Sequence, residues 1–577
     1  MLTPDLIRLL LPALMGLPIV AALVLRFTSG TRSRGLALAF AIVHLALTAL
    51  VVVSGLELIQ DDPNLSLGIK RQEKKLERVF APQFVPGDPM PDGRASYSTT
   101  NDILPIYGPN PSNPHERVKI AAAQFFIGLD GLNVWLVALG SFLMFPVVLI
   151  SWDTVHEREG SYYAWLFLLQ AGLLGVFLSF DILLFYVCFE LTLVPLLFLI
   201  GGWGPGPNRR EAARKLFLFT LAGGLITLLG VAGTVLYVYE RTQIGGGHGE
   251  LTFSIPRLAD LVQTGMLQKS EASHGLWRDA QTYLFLALAV GFAVKIPLVP
   301  LHSWLPGAYS EAPIGVTVML SALLAKMGTF GLLRICMPLC PDATLAVGMP
   351  LIGVLAVIAI IYGALCAYAQ TDIRRLVAYS SVSHLGFCVL ALMAFSPASI
   401  AGGLLHMVNH GLSTGAMFLL VGMLVRRYGT AQIADYSGMW SRLPVLTFFM
   451  MVACLASIGL PGLNNFVSEM LMLGGVLDAR NVRIAVVPFT VLAALGIFLS
   501  AWYTLTMVRR VFFGPIKEPP TAQPVTDLTG RERLTIVPVV VLCLVLGLFV
   551  QPVLDVMYRD VGRLAQIGDE ARARATK

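Results

Sequence analysis

The chain is 577 residues long, 56% hydrophobic and 13% charged, with 41 basic and 35 acidic residues and a formal net charge of +6. Soluble globular proteins carry about 25% charged residues, so a set of soluble domains would lack the polar side chains to cover its exterior. Together with a mean hydropathy of +0.73, this excludes a soluble enzyme, a disordered scaffold and a nucleic-acid binder, and it describes a polytopic membrane protein.

A helix needs about 20 apolar residues to cross a hydrocarbon core about 30 Å thick. Fourteen such runs occur in order, at about 4–27, 33–55, 129–152, 161–180, 182–202, 214–239, 282–304, 314–337, 346–369, 374–395, 399–425, 445–475, 483–512 and 534–558. None shows strand-like alternation, so they predict an all-α membrane protein of about fourteen helices rather than a barrel. The first run reads as a retained helix, because Asp5 precedes Arg8 and no basic region leads it as in a secretory signal.

Residues 1–59 therefore hold two helices, and 60–122 form a polar, proline-rich insertion outside the membrane that includes the charged run Lys70 to Arg78. Residues 123–160 hold the third helix and a loop. Helices four to eight occupy 161–340, with a polar loop at 240–281, and helices nine to thirteen occupy 341–515. Residues 516–577 hold the last helix and a tail. The glycine-rich Gly245–Gly249 has no preceding strand and no following Lys-Ser/Thr, so it reads as a loop rather than a phosphate cradle. The seven cysteines lie within or at the ends of apolar runs without a CxxC pattern and read as small buried hydrophobes.

Basic residues in short loops mark the cytoplasmic side. Arg32 and Arg34, Arg209 and Arg210, Arg374 and Arg375, Arg426 and Arg427, and Lys517 and Arg531 all follow odd-numbered runs. That places both termini and both long insertions on the non-cytoplasmic side, although Arg559, Arg563, Arg572 and Arg574 in the tail pull the other way.

Four ionisable residues lie deep inside apolar runs: Glu190 in the fifth, Lys295 in the seventh, Lys326 in the eighth and Glu469 in the twelfth. A charge near a helix centre costs roughly 2.5–3.5 kcal/mol to insert and usually has a partner and a task. One use is structural, as two ion pairs fastening helices, but such pairs stabilise poorly once desolvation is counted. The other is a relay: a carboxylate moving toward or away from a buried lysine changes whether that lysine holds its proton. The backbone favours the relay. Pro297 and Pro300 interrupt the seventh helix beside Lys295, and Pro461, between Gly459 and Gly462, interrupts the twelfth. Two breaks five helices apart suggest that helices 4–8 and 9–13 are repeats, and transporters built from inverted repeats place paired broken helices at their ion sites.

His302, His384, His406 and His410 fill the gaps between these charges, with His384 and His410 the stronger candidates for a proton path. His406 and His410 stand four apart, a spacing that could hold a metal, but no Asp or Glu follows at ligand spacing, so no metal is expected.

The stretches around these residues carry a family resemblance. They are Leu184–Leu191, Lys295–Pro306, Tyr309–Pro313, Ala378–His384, Asn409–Leu412, Gly459–Gly462 and Arg510–Gly514, spread over about residues 125 to 515. The chain resembles the antiporter-like membrane subunits of proton-pumping NADH:quinone oxidoreductase, in their M branch. The resemblance implies fourteen helices with two inverted five-helix repeats. It implies Glu190 and Lys295 as a pair, Lys326 as the central relay and Glu469 as the terminal group. It also implies L- and N-type subunits as neighbours in an energy-transducing membrane, the bacterial inner membrane. Glu rather than Lys at 469, and a tail too short for a long lateral helix, favour the M branch over L, N and the multi-subunit sodium/proton antiporters. A cation/proton antiporter or membrane-bound hydrogenase subunit is the alternative. No dinucleotide fingerprint follows a strand and no cysteine framework exists, so NADH, FMN, iron–sulfur clusters and quinone are expected in partner subunits. The 60–122 insertion departs from the family.

Overall fold

Among the described residues, helix follows each apolar run. The computed structural model describes residues 3–60, 80, 82–86, 97–99, 101–110, 113–242, 249–266, 271–479, 485–518, 520 and 525–575; the run Lys70 to Arg78 and most of the glycine-rich loop lie outside them. The N-terminal half contains α1 (Pro4–Arg26), α2 (Gly30–Gln60), α3 (Val134–Ser151), α4 (Glu159–Leu178), α5 (Ile182–Trp203), α6 (Arg209–Thr242), α7 (Glu271–Lys295), α8 (Leu305–Glu311) and α9 (Ile314–Leu339). The C-terminal half contains α10 (Pro341–Tyr368), α11 (Ile373–Ala394), α12 (Pro397–Tyr428), α13 (Pro444–Ser457), α14 (Asn464–Leu477), α15 (Val487–Phe512), α16 (Gly530–Leu548) and α17 (Gln551–Ala575).

Eleven helices among the described residues are long and apolar enough to span a membrane, or twelve if the bent pair α16 and α17 is one span. The other expected runs are the ones that break. The seventh stops at Lys295 and resumes, after turns, as α8; the twelfth divides into α13 and α14. The fourteenth ends at Leu548, and α17 then turns away by 69°. Start signals match side chains to orphan amides. Asp372 caps α11 by accepting from Arg374 N at 2.8 Å and Arg375 N at 3.0 Å. Ser396, just ahead of Pro397, and Ser399 form a capping box on α12, and Gly429, at φ +71°, closes its other end.

Beside the all-α membrane part, the insertion contributes a short β-element. Strands β1 (Asp102–Asn110) and β2 (Asn113–Gln124) form an antiparallel hairpin with Tyr107 opposite Lys119. Pro105 and Pro109 are tolerated there because a two-stranded sheet has only edge strands.

The two ends of the bundle differ. At one, the basic loop residues that orient the chain find acids: Arg34 with Glu159 at 3.3 Å, Arg426 and Arg531 with Asp153 at 3.1 and 2.5 Å, and Arg427 with Glu532 at 2.6 Å. At the other, α17 lies across several helix ends. Asp560 accepts from Gly131 N at 2.7 Å, Arg572 donates to the carbonyls of Ala394 and Phe395 at 3.1 and 2.8 Å, and Arg574 reaches Asp342 at 3.1 Å.

Small residues bring the second broken helix against the bundle. A Cβ on Gly475 of α14 would stand 2.2 Å from the amide nitrogen of Ser399, and one on Gly402 of α12 would stand 2.6 Å from that of Met472. Backbone atoms cannot yield as a side chain does. Gly475→Ala is therefore expected to push α14 off α12 and to destabilise by about 1–3 kcal/mol, read as a lowered melting temperature of the purified native assembly.

Candidate functional site

Three features of the sequence make a buried polar row possible: interrupted helices, glycines where carboxylates need room, and hydroxyls within one turn of the ionisable groups. The structure divides the expected residues into two groups and leaves one apart.

The first group is Glu190 on α5 and Lys295 at the end of α7. Lys295, 1% exposed, donates to the carbonyl of Phe189 at 3.0 Å, with its ammonium 3.8 Å from the centre of the Phe189 ring. Neither carboxylate oxygen of Glu190 has a hydrogen-bond partner. The carboxylate lies against Gly224 of α6, where a Cβ would stand 2.1 Å from Oε1. The two residues are therefore neighbours around Phe189 without a direct hydrogen bond, and the pair is open. Pro297 leaves the carbonyl of Ala293 to the amide of Leu298, at 3.0 Å, and the Trp304 indole takes the carbonyl of Val294, at 2.9 Å. These bonds hold the break that ends α7 at the lysine.

The second group gathers on α9, α11, α12 and α14. Lys326, fully buried, donates to the carbonyl of Ser321 at 2.5 Å and lies 2.8 Å from His410 Nδ1. Two π-helical turns, Leu320–Leu324 and Leu332–Cys336, flank it; such turns often occur at functional sites. The rings of His384, His406 and His410 form a triangle with centroids 5.3 to 5.8 Å apart. Beyond it, Glu469 Oε1 is 3.9 Å from His384 Nδ1. Gly459, at φ +72° in the break before α14, makes space for the other oxygen, since a Cβ there would stand 2.2 Å from Oε2. Lys326, three histidines and Glu469 therefore form one contiguous buried cluster.

His302 stands apart, packing on Tyr362 and Tyr379 with ring centroids 5.2 and 6.3 Å away. Gly328 of α9 packs on Phe292 and Ile296, and this contact brings the two groups' helices together.

Sequence reasoning missed the hydroxyl partners. Thr414 lies 3.1 Å from His410 Nε2, Ser468 2.9 Å from His406 Nδ1, and Ser500 3.4 Å from His384 Nε2. Tyr503 continues the trail at 3.3 Å from Ser500 and 2.6 Å from Ser380. The i, i+4 spacing of His410 and Thr414 was a readable signal; the other contacts cross between helices and left none. Also missed was a further buried charge, Arg334 near the end of α9. It grips Asp130 through two bonds of 2.5 and 2.8 Å, between the rings of Phe80, Phe180 and Phe330.

The sequence profile of the family described as "NADH:quinone oxidoreductase/Mrp antiporter, TM" matches residues 179–496. NADH-quinone oxidoreductase subunit M of Pseudomonas aeruginosa is 38% identical over 473 residues, covering 81% of this chain and 85% of its own. A chain of respiratory complex I from Thermus thermophilus with bound NADH is similar at a TM-score of 0.73 and 27% identity, covering 96% of this chain and 99% of its own. A chain of the Mrp complex from a Dietzia species matches at a TM-score of 0.71 and 18% identity, covering 99% of each chain, a likeness of fold.

Proposed function

The chain belongs to the NADH:quinone oxidoreductase/Mrp antiporter family, among the M subunits of NADH-quinone oxidoreductase, and from that premise we propose that its buried row carries protons across the membrane. The single observation behind this reading is the contiguous cluster from Lys326 through His410, His384 and His406 to Glu469. A purely structural pairing would use two charges; five proton-binding groups sharing one site suit transfer.

The open Glu190–Lys295 pair acts as the switch. When Glu190 approaches, Lys295 holds its proton; when the pair opens, as here, that attraction weakens and the proton is released toward Lys326. Glu469 then passes the proton out beside the break at Pro461. The broken helices α7–α8 and α13–α14, each next to one of these groups, support reading 161–340 and 341–515 as two repeats. NADH, FMN, iron–sulfur clusters and quinone belong to partner subunits, with L- and N-type subunits as membrane neighbours. The paired arginines at one end support a cytoplasmic assignment for it, leaving both termini on the other side.

In the purified assembly reconstituted into liposomes, Glu190→Gln and Lys295→Ala are each expected to lower proton pumping coupled to quinone reduction by about fivefold or more, roughly 1 kcal/mol of barrier. Normal pumping in both variants would return the pair to a structural role. Sodium-dependent exchange by an assembly without redox cofactors would favour the antiporter alternative.

A further inference from the structure

The histidine spacing on α12 offers no metal set by itself, but the fold brings ligands together from three helices. His384 of α11, His406 of α12 and Glu469 of α14 each place a ligand atom within 4.8 Å of the others, and all three are buried. We propose that these residues form a binding site for a divalent transition-metal ion of the Zn2+ class, and that an ion there holds the relay shut.

Two imidazoles and a carboxylate with an open fourth position are a donor set that suits zinc. The surroundings are those of metal-ligating histidines, whose second ring nitrogen is normally held by an outer partner. Ser468 holds His406 Nδ1 at 2.9 Å, and Ser500 lies 3.4 Å from His384 Nε2. The opposite nitrogens are left for a ligand. His406 Nε2 is buried and has no hydrogen-bond partner, and His384 Nδ1 is 3.9 Å from Glu469 Oε1. Bonds of about 2.0–2.1 Å to a tetrahedral ion put ligand atoms roughly 3.3 Å apart, so closure by up to about 1.5 Å completes the site. Rotation of the Glu469 side chain can supply part of that movement, because Gly459 leaves room beside its carboxylate.

A ring nitrogen or carboxylate oxygen binds a metal only while it carries no proton. Metal and proton therefore compete for the same nitrogens and the same carboxylate. That a bound ion stops transport rests on the proton-carrying function proposed above; that it binds does not.

The test strips the intact purified assembly with a chelator, adds Zn2+, washes it, and measures zinc by mass spectrometry and X-ray absorption. Wild type is expected to keep one zinc more per assembly than His406→Gln or Glu469→Gln. The additional zinc should show imidazole nitrogen in its first shell. Ser468→Ala is expected to weaken its retention by about 10–100-fold, and Lys295→Ala, outside the ligand set, should leave the content unchanged. Equal zinc in wild type and both ligand variants, or an equal loss in Lys295→Ala, overturns the proposal. Zinc held as expected by an assembly whose Glu190 and Lys295 variants pump normally would support the site while removing the proton reading.

Discussion

Lys326→Ala is expected to lower proton pumping about a hundredfold, a barrier increase of roughly 2.7 kcal/mol. Lys326 contacts His410 directly and leads from there to the histidine triangle and Glu469. An alanine leaves a gap where a proton carrier stood, and no other ionisable side chain within the contacts described takes its place. The informative companion is Lys326→Arg. Arginine keeps the positive charge and the donors, so it preserves a purely structural contact, but it does not release its proton in proteins. Both variants should therefore fail, measured as proton movement per NADH oxidised in liposomes. Wild-type pumping by the arginine variant would mean that Lys326 only fastens α9 to α12.

The second large effect concerns Arg334. Its guanidinium is 0% exposed and bonded twice to Asp130, which is 2% exposed. Arg334→Met leaves a buried carboxylate without its ionic partner, and breaking a buried pair from one side costs about 3–5 kcal/mol. The expected readout is a markedly lower melting temperature and a reduced yield of intact assembly. Asp130→Asn combined with Arg334→Met removes both charges and should recover much of the loss. If the double variant proves as unstable as the single one, the rings of Phe80, Phe180 and Phe330 packed on the guanidinium, rather than the ion pair, are what matter.

Hydropathy located the spans well because the bilayer requires a minimum apolar length, a constraint that acts residue by residue. The four deep charges were legible for the same reason, since each interrupts such a run. Arg334 was not: it lies three residues from the end of its expected run, where a charge reads as belonging to the loop. Proline marked the breaks at Pro297 and Pro461, because a missing N–H has a local consequence. Which histidines meet was beyond reach. His302 and His384 look alike in sequence, yet one packs on tyrosines and the other faces Glu469. The β-hairpin was hidden by its prolines, and the open state of the Glu190–Lys295 pair by the fact that a resemblance names partners without fixing the distance between them.

The C-terminal helix carries one further consequence. Through Gly131, Asp342 and the carbonyls of Ala394 and Phe395, α17 fastens the start of α3, the α9–α10 junction and the α11–α12 junction to one rod. Helices riveted together at one end cannot slide past each other or part there. Any relative motion becomes an angular one, pivoting at the rod and largest at the opposite end, as in tweezers. A small displacement delivered to the loops at that opposite end would then reach the buried row as a reduced, geared-down movement, a scale that suits the opening and closing of a pair such as Glu190 and Lys295.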